Sequence, residues 1–176
     1  VTGVDDNLVD GTITSAITVS VVDAVTDDNF DAVANQTVSA ATTDNDTAGF
    51  TITETGGSTA VAETGTTDTF AVVLTAQPTS DVVITITSSD TGEATVNSPL
   101  TFTPANWNSA QTVTVTGVDD NIIDGTQTTT ITAAVIDAIS DDAFDSVANQ
   151  TVSATTTDND VAGFTIAQSD GSTSVN

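Results

Sequence analysis

Thr112-Val-Thr-Val-Thr-Gly-Val-Asp-Asp-Asn-Ile-Ile-Asp-Gly125 carries the two signals from which the fold is read. Its first half alternates Val with Thr, the period of two that places one residue type on each face of a strand. Its second half is a run of Asp and Asn closed by Asp-Gly, and these are turn residues because their side chains hydrogen-bond nearby backbone. Short strands punctuated by turns recur along the chain. Val82-Val-Ile-Thr-Ile86 repeats the strand signal. β-branched residues dominate the apolar set, and they fit a pleated surface better than a helix.

The run also occurs earlier. Val1-Thr-Gly-Val-Asp-Asp-Asn7 returns as Val115-Thr-Gly-Val-Asp-Asp-Asn121, an offset of 114 residues. The match holds without a gap from Val1–Ile52 onto Val115–Ile166, with 38 of 52 positions identical. It continues weakly as Gly57-Ser-Thr59 against Gly171-Ser-Thr173. Residues 1–46 therefore read as the back part of one repeat, 47–160 as a complete repeat, and 161–176 as the opening of a third. A sequence that starts and stops in mid-repeat is expected to be a window on a longer array.

Within 47–160 the pattern predicts nine short strands: Phe50–Glu54, Ala60–Glu63, Thr69–Ala76, Asp81–Ser88, Glu93–Val96, Leu100–Thr103, Gln111–Val118, Gln127–Ile136 and Gln150–Thr156. Gln77-Pro78, Asp90-Thr-Gly92, Pro99, Pro104-Ala-Asn106 and Asp124-Gly125 mark turns between them. No apolar period of 3.6 residues runs for a useful length. The fold class is all-β, an immunoglobulin-like antiparallel β-sandwich in tandem 114-residue repeats. Trp107 and Phe102 are expected to pack in or beside the core.

Charge then limits function. There are 25 acidic residues and no Lys, Arg or His, a formal charge of −25. Phosphate contacts require Lys or Arg, so nucleic acid is excluded as a partner. Docking on an anionic membrane is disfavoured for the same reason, and no apolar run is long enough for direct membrane insertion. Cys, Met and Tyr are also absent. No Ser-His-Asp or Cys-His arrangement can be built, and zinc, haem and iron–sulfur sites lose their usual ligands. What remains is carboxylate, hydroxyl, amide and carbonyl oxygen, the donor set that Ca2+ prefers. A paired-carboxylate glycosidase is disfavoured because aromatic and substrate-gripping side chains are scarce. The chain is expected not to be an enzyme.

The carboxylates are clustered. Asp119, Asp120 and Asp124 follow one strand, and Asp158 and Asp160 follow the last. Their copies are Asp5, Asp6, Asp10, Asp44 and Asp46. In an antiparallel sandwich the Asp119-Asp120 loop and the end of the last strand can share a pole. Glu63, placed at the start of an early strand, can reach it too. Two bare carboxylates about 4 Å apart repel by about 1 kcal/mol in water and about 4 at an effective dielectric of 20, so a cation between them relieves folding strain. Calcium takes six to eight oxygens in irregular geometry, which suits such a cluster. Asp137, Asp141, Asp142 and Asp145, with copies Asp23, Asp27, Asp28 and Asp31, form another acidic loop. That loop reads as a calcium site or as a solvated turn. Asn35-Gln-Thr37, Asn45-Asp-Thr47 and Asn149-Gln-Thr151 match the glycosylation pattern, so glycan decoration is a further expectation.

The run Thr114-Val-Thr-Gly-Val-Asp-Asp-Asn-Ile-Ile-Asp-Gly125, followed by Asp158-Asn-Asp160 and Ala162-Gly-Phe164, resembles the Calx-beta domain, and most of all the tandem Calx-beta arrays of bacterial adhesin-like surface proteins. The likeness spans 47–160 and both partial copies. It implies calcium ligation by an early Glu, matched by Glu63; by an Asp pair, matched by Asp119-Asp120; and by a terminal Asp cluster, matched by Asp158 and Asp160. Asp5, Asp6, Asp44 and Asp46 take the same roles in the preceding repeat. Asn159 and Asn45 stand where members often carry a third Asp, and Asp124-Gly125 where the Calx-beta domains of sodium–calcium exchangers are more acidic. Both departures imply fewer ions or weaker binding. Glu54, just past the joint after Asp46, is a further candidate ligand, although its counterpart is Gln168.

The joint is short, with Thr47-Ala-Gly49 between Asp46 and Phe50. The expected function is mechanical: an extracellular, cell-surface stalk or fibre stiffened by calcium between neighbouring repeats of one chain. Self-association of chains into a filament or sheath, and a calcium-sensing regulatory module, are the competing readings. Near-identical tandem copies favour an extender over a sensor.

Overall fold

The structure is a computed structural model and describes residues 1–22, 25, 27–168 and 171. Asp23, and the Ser172-Thr173 end of the weak third match, lie outside the described residues.

Alternation becomes burial. In the strand Gln111–Gly117, Val113 and Val115 are buried while Thr112 is exposed and Thr114 and Thr116 are half-buried. Eleven strands form among the described residues. They are β1 (Ile13–Val19), β2 (Gln36–Thr42), β3 (Phe50–Glu54), β4 (Thr59–Ala62), β5 (Thr67–Leu74), β6 (Val82–Ser88), β7 (Ala94–Val96), β8 (Leu100–Phe102), β9 (Gln111–Gly117), β10 (Gln127–Val135) and β11 (Gln150–Thr157). All nine strands expected between 47 and 160 are present, with ends displaced by two residues at most.

β3 to β11 make two sheets, ordered β4-β11-β10-β6-β8 and β3-β5-β9-β7. The sheets close over a core led by Phe70, Phe102, Phe144, Ile84 and Ile131. Trp107 is half-buried and packs against that core, as expected. This is an all-β, immunoglobulin-like sandwich.

One pairing departs from the antiparallel rule. β4 runs parallel to β11, with Ala154 opposite Thr59 and Thr157 opposite Ala62. The departure places the site, because two parallel strands end at the same pole. Glu63 therefore lies just past the end of β4, close to the end of the expected strand Ala60–Glu63 and not at a strand start. Its backbone N–H continues the ladder to Thr157 O at 3.1 Å.

β1 and β2 form a separate hairpin. Its register, Ile13 opposite Thr42 and Val19 opposite Gln36, recurs 114 residues later as Gln127 opposite Thr156 and Ala133 opposite Gln150. Burial differs. Val38 is 59% exposed and its counterpart Val152 only 4%, because β11 has β4 beside it and a second sheet beneath it.

Candidate metal centre

A glycine brings the pole together. A Cβ on Gly117, the last residue of β9, would lie 2.2 Å from the Ala62 carbonyl oxygen. Only a residue without a side chain lets β9 pass this close to the end of β4. Glu63 follows Ala62, and Asp119 and Asp120 follow Gly117 by two and three residues, so the contact draws the carboxylates to one place. Val118 N–H donates to Glu93 O at 2.9 Å, and Thr156 Oγ1 donates to the same oxygen at 3.2 Å. Glu93 is thereby pinned between the ends of β9 and β11.

Two carboxylate groups result. Oxygens of Glu63, Glu93 and Asp120 lie within 4.8 Å of one another, as do oxygens of Glu63, Asp158 and Asp160. Glu63 belongs to both and is 1% exposed; Glu93 is 8% exposed. With no Lys, Arg or His in the chain, no side chain can neutralise them. Glu93 Oε2 and Asp160 Oδ2 are buried and have no hydrogen-bond partner. A buried polar atom without a partner is costly, more so when charged. The donor set is all oxygen, as a hard divalent cation requires.

Backbone donors hold the rest of the loop cluster. Asp158 accepts from Asp160 N–H at 2.6 Å and Gly125 N–H at 2.8 Å. These bonds hold its carboxyl below the usual range. Asp160 is pushed up, first by burial and then by Asp158, Asp119, Asp120 and Asp124. Glu93 is raised by burial and by Asp124 and Asp120. Glu63 accepts from Asn159 N–H at 3.0 Å, which favours its charge, yet burial and Asp158, Asp120 and Asp160 leave it raised overall. A set of carboxyls raised by one another and by burial is the electrostatic signature of a missing positive charge.

Of the residues singled out from the sequence, Glu63, Asp120, Asp158 and Asp160 are brought together. Asp119 adjoins them, accepting from Asn159 Nδ2 at 2.8 Å. Asn159, which stands where a third Asp was expected, thus ties the two loops together. Asp124 is exposed and outside both groups, and Gly125 beside it has φ of 74°. Glu54 does not join the joint. Its carboxylate accepts from Thr59 Oγ1 at 2.8 Å, and it is four residues along β3 from Phe50, about 13 Å at the usual strand rise.

The copy in the first repeat keeps the loop half of this arrangement. Asp44 accepts from Gly11 N–H at 2.8 Å, Asp10 N–H at 3.0 Å and Asp46 N–H at 2.7 Å. Asp46 is raised by burial and by Asp44, Asp5, Asp6 and Asp10. Residues 1–46 contain no counterpart of Glu63 or Glu93.

Glu93 was missed by the sequence reading, which saw only a strand start. The available signal was a lone Glu opening a strand directly after the Asp90-Thr-Gly92 turn. Its importance depends on Ala94 pairing with Gly117, a register the sequence does not declare. Asp141 was misjudged in kind. It is 5% exposed, and its carboxylate accepts from Thr79 N–H and Oγ1, both at 2.6 Å, Ser80 N–H at 2.8 Å and Ala143 N–H at 3.0 Å. It is not a solvated acid; it fastens the β5–β6 turn.

No family model matches the sequence, and no curated protein matches it. Among solved structures, the apo form of the Calx CBD1 domain is similar at 13% identity and TM-score 0.44, covering 63% of this chain and 98% of that one. SSP-19, an MSP-domain protein like family member of Caenorhabditis elegans, is similar at 18% identity and TM-score 0.38, covering 57% and 92%. Likenesses this distant leave the fold to rest on its own strand pairing and the site on its own residues. Among the described residues, no helix is long and apolar enough to cross a membrane.

Proposed function

We propose that this chain is part of a secreted, non-enzymatic tandem array, a cell-surface stalk or fibre, in which Ca2+ at the acidic pole of each 114-residue repeat stiffens the joint to the next. One observation carries the reading. Glu63 is shared by two carboxylate groups, one with Glu93 and Asp120 and one with Asp158 and Asp160, and two of the buried oxygens there have no partner. The residues that would hold calcium are these five, with Asp119 and Asn159 tying their loops together. Bound there, the ion would supply the positive charge the chain lacks and cross-link the ends of β4, β9 and β11.

The position of the pole supports a mechanical role. Asp44 and Asp46 are followed by Thr47-Ala-Gly49 and then β3 of the next unit. That linker is itself held, because Thr75 N–H donates to Gly49 O at 2.9 Å and Thr75 Oγ1 to Thr47 O at 3.2 Å. Ordering the loops beside so short a linker restricts bending. Extracellular modules bind calcium at about 10⁻⁴–10⁻³ M, which would keep such a site loaded outside the cell.

Calcium titration by calorimetry tests the assignment. The double substitution Asp119→Asn, Asp120→Asn should weaken binding by about tenfold or more. An isotherm identical to that of the unsubstituted chain would remove the site.

A further inference from the structure

The loop that carries the Asp pair does more than end a strand. Asn7, Leu8 and Val9 lie against the β5–β6 turn of the unit that follows. Gln77 N–H donates to Asn7 O at 2.7 Å, and Val9 N–H donates to Gln77 O at 3.0 Å. Leu8 and Gln77 form a parallel bridge, and Val9 packs against the core of that unit. The receiving turn is rigid on its own account. Gln77 Nε2 donates to Pro104 O at 2.8 Å, and Asp141 holds Thr79 and Ser80. The donating loop is shaped by Asp6, whose Oδ1 accepts from Leu8 N–H at 2.9 Å.

The same loop recurs without an occupant. Ile122 and Ile123 are the counterparts of Leu8 and Val9, follow the same Asp-Asp-Asn, and are shaped alike, with Asp120 Oδ1 accepting from Ile122 N–H at 2.6 Å. They are 60% and 56% exposed, whereas Leu8 and Val9 are half-buried.

We propose that this two-residue apolar segment is a latch between repeats. It adds a short parallel bridge to the Gln-Pro turn of the next unit, and Ile122-Ile123 is the free latch for the Gln77-equivalent turn of a further copy of residues 47–160. The latch is built from main-chain hydrogen bonds and one apolar contact, so it fixes the order and direction of units. Its contacts with the next unit use no carboxylate, although Asp6 and Asp120, which shape the loop, belong to the acidic pole. One repeat presents its acidic-pole loop, and the next presents the opposite end, where β5 turns into β6. Such a contact joins units head to tail only, and it gives the joint a second restraint beside the linker.

Amide hydrogen exchange of the 176-residue chain tests this with an internal control. After correction for intrinsic rates, the Val9 amide should exchange about tenfold or more slowly than the Ile123 amide, since a bonded amide must open before it exchanges. Val9→Asp should speed exchange at Gln77 by about tenfold while the β10 and β11 amides keep their rates. In a longer chain, residues 1–160 followed by 47–176, Ile123 should gain the protection that Val9 already has. Equal rates at Val9 and Ile123 would overturn the proposal, as would an Ile123 that stays fast once a further unit follows it. None of these readouts requires that calcium bind, so the latch and the metal site fail separately.

Discussion

At the scale of single residues, the pole is a balance between close approach and like charge. Gly117 permits the approach. Gly117→Ala would set a methyl 2.2 Å from a backbone oxygen, and strands must separate to admit it. Overpacking of this kind typically costs about 1–3 kcal/mol. Gly3→Ala is the control, because the nearest atom to its Cβ is Thr42 Cγ2 at 3.4 Å. Thermal melts should show the first substitution destabilising and the second nearly neutral, and calcium affinity should fall with the first alone. Glu93 shows the opposing side. Glu93→Gln keeps the shape and removes a raised, buried charge with an unpaired oxygen. In chelator the variant should melt a few degrees higher than the parent, while in calcium it should bind more weakly. A shift of the same sign in both buffers would show that Glu93 is an ordinary packing residue.

At the scale of elements, the strands were legible and their partners were not. Val-Thr alternation in β9 and the Val82–Ile86 run state a half-buried strand in the residues themselves, and the turn clusters set the ends. Nothing in Thr59–Ala62 says that β4 will lie parallel to β11. That pairing rests on contacts between segments almost a hundred residues apart, and it decides where Glu63 goes. The same limit hid Glu93, whose place depends on β7 pairing with β9. Asp119-Asp120 and Asp158/Asp160 were readable because loop acids following two strands of matched direction meet whatever the detailed register. Asp141 was read, with its acidic neighbours, as part of a calcium site or a solvated turn, but its role follows from the β5–β6 turn it faces. Asp141→Asn replaces an acceptor with a donor toward Thr79 and Ser80. It should destabilise the chain by about 2 kcal/mol without altering the calcium isotherm. A lost isotherm in a chain that still melts cooperatively would return Asp141 to the metal site.

At the scale of the whole molecule, −25 charges with no counter-charge set the response to pH and to ions. Without calcium, Glu63, Glu93, Asp46 and Asp160 have raised pKa values in the folded chain. They take up protons on folding, so stability rises as pH falls from the raised values toward the ordinary carboxylate value near about 4. Asp44, Asp141 and Asp158 are lowered, and the stability they contribute above that value is lost as pH falls through their depressed values. The melting temperature in chelator should therefore climb on mild acidification and then drop below about pH 4. A monotonic fall from neutrality would contradict the clustered, raised carboxyls. In calcium the climb should vanish, because protons then compete with the ion. X-ray scattering should report a more extended, stiffer particle in calcium than in chelator; superimposable profiles would remove the stiffening role. The most direct test of the central claim, that the acidic pole is a calcium site, is the melting curve of the chain in millimolar calcium and in chelator at neutral pH. The expected result is a large upward shift in calcium, with a midpoint that moves with calcium concentration as binding to the folded state alone demands. Identical midpoints in the two buffers would contradict it and leave a repeat held by its packing and its latch, with no ion at the acidic pole.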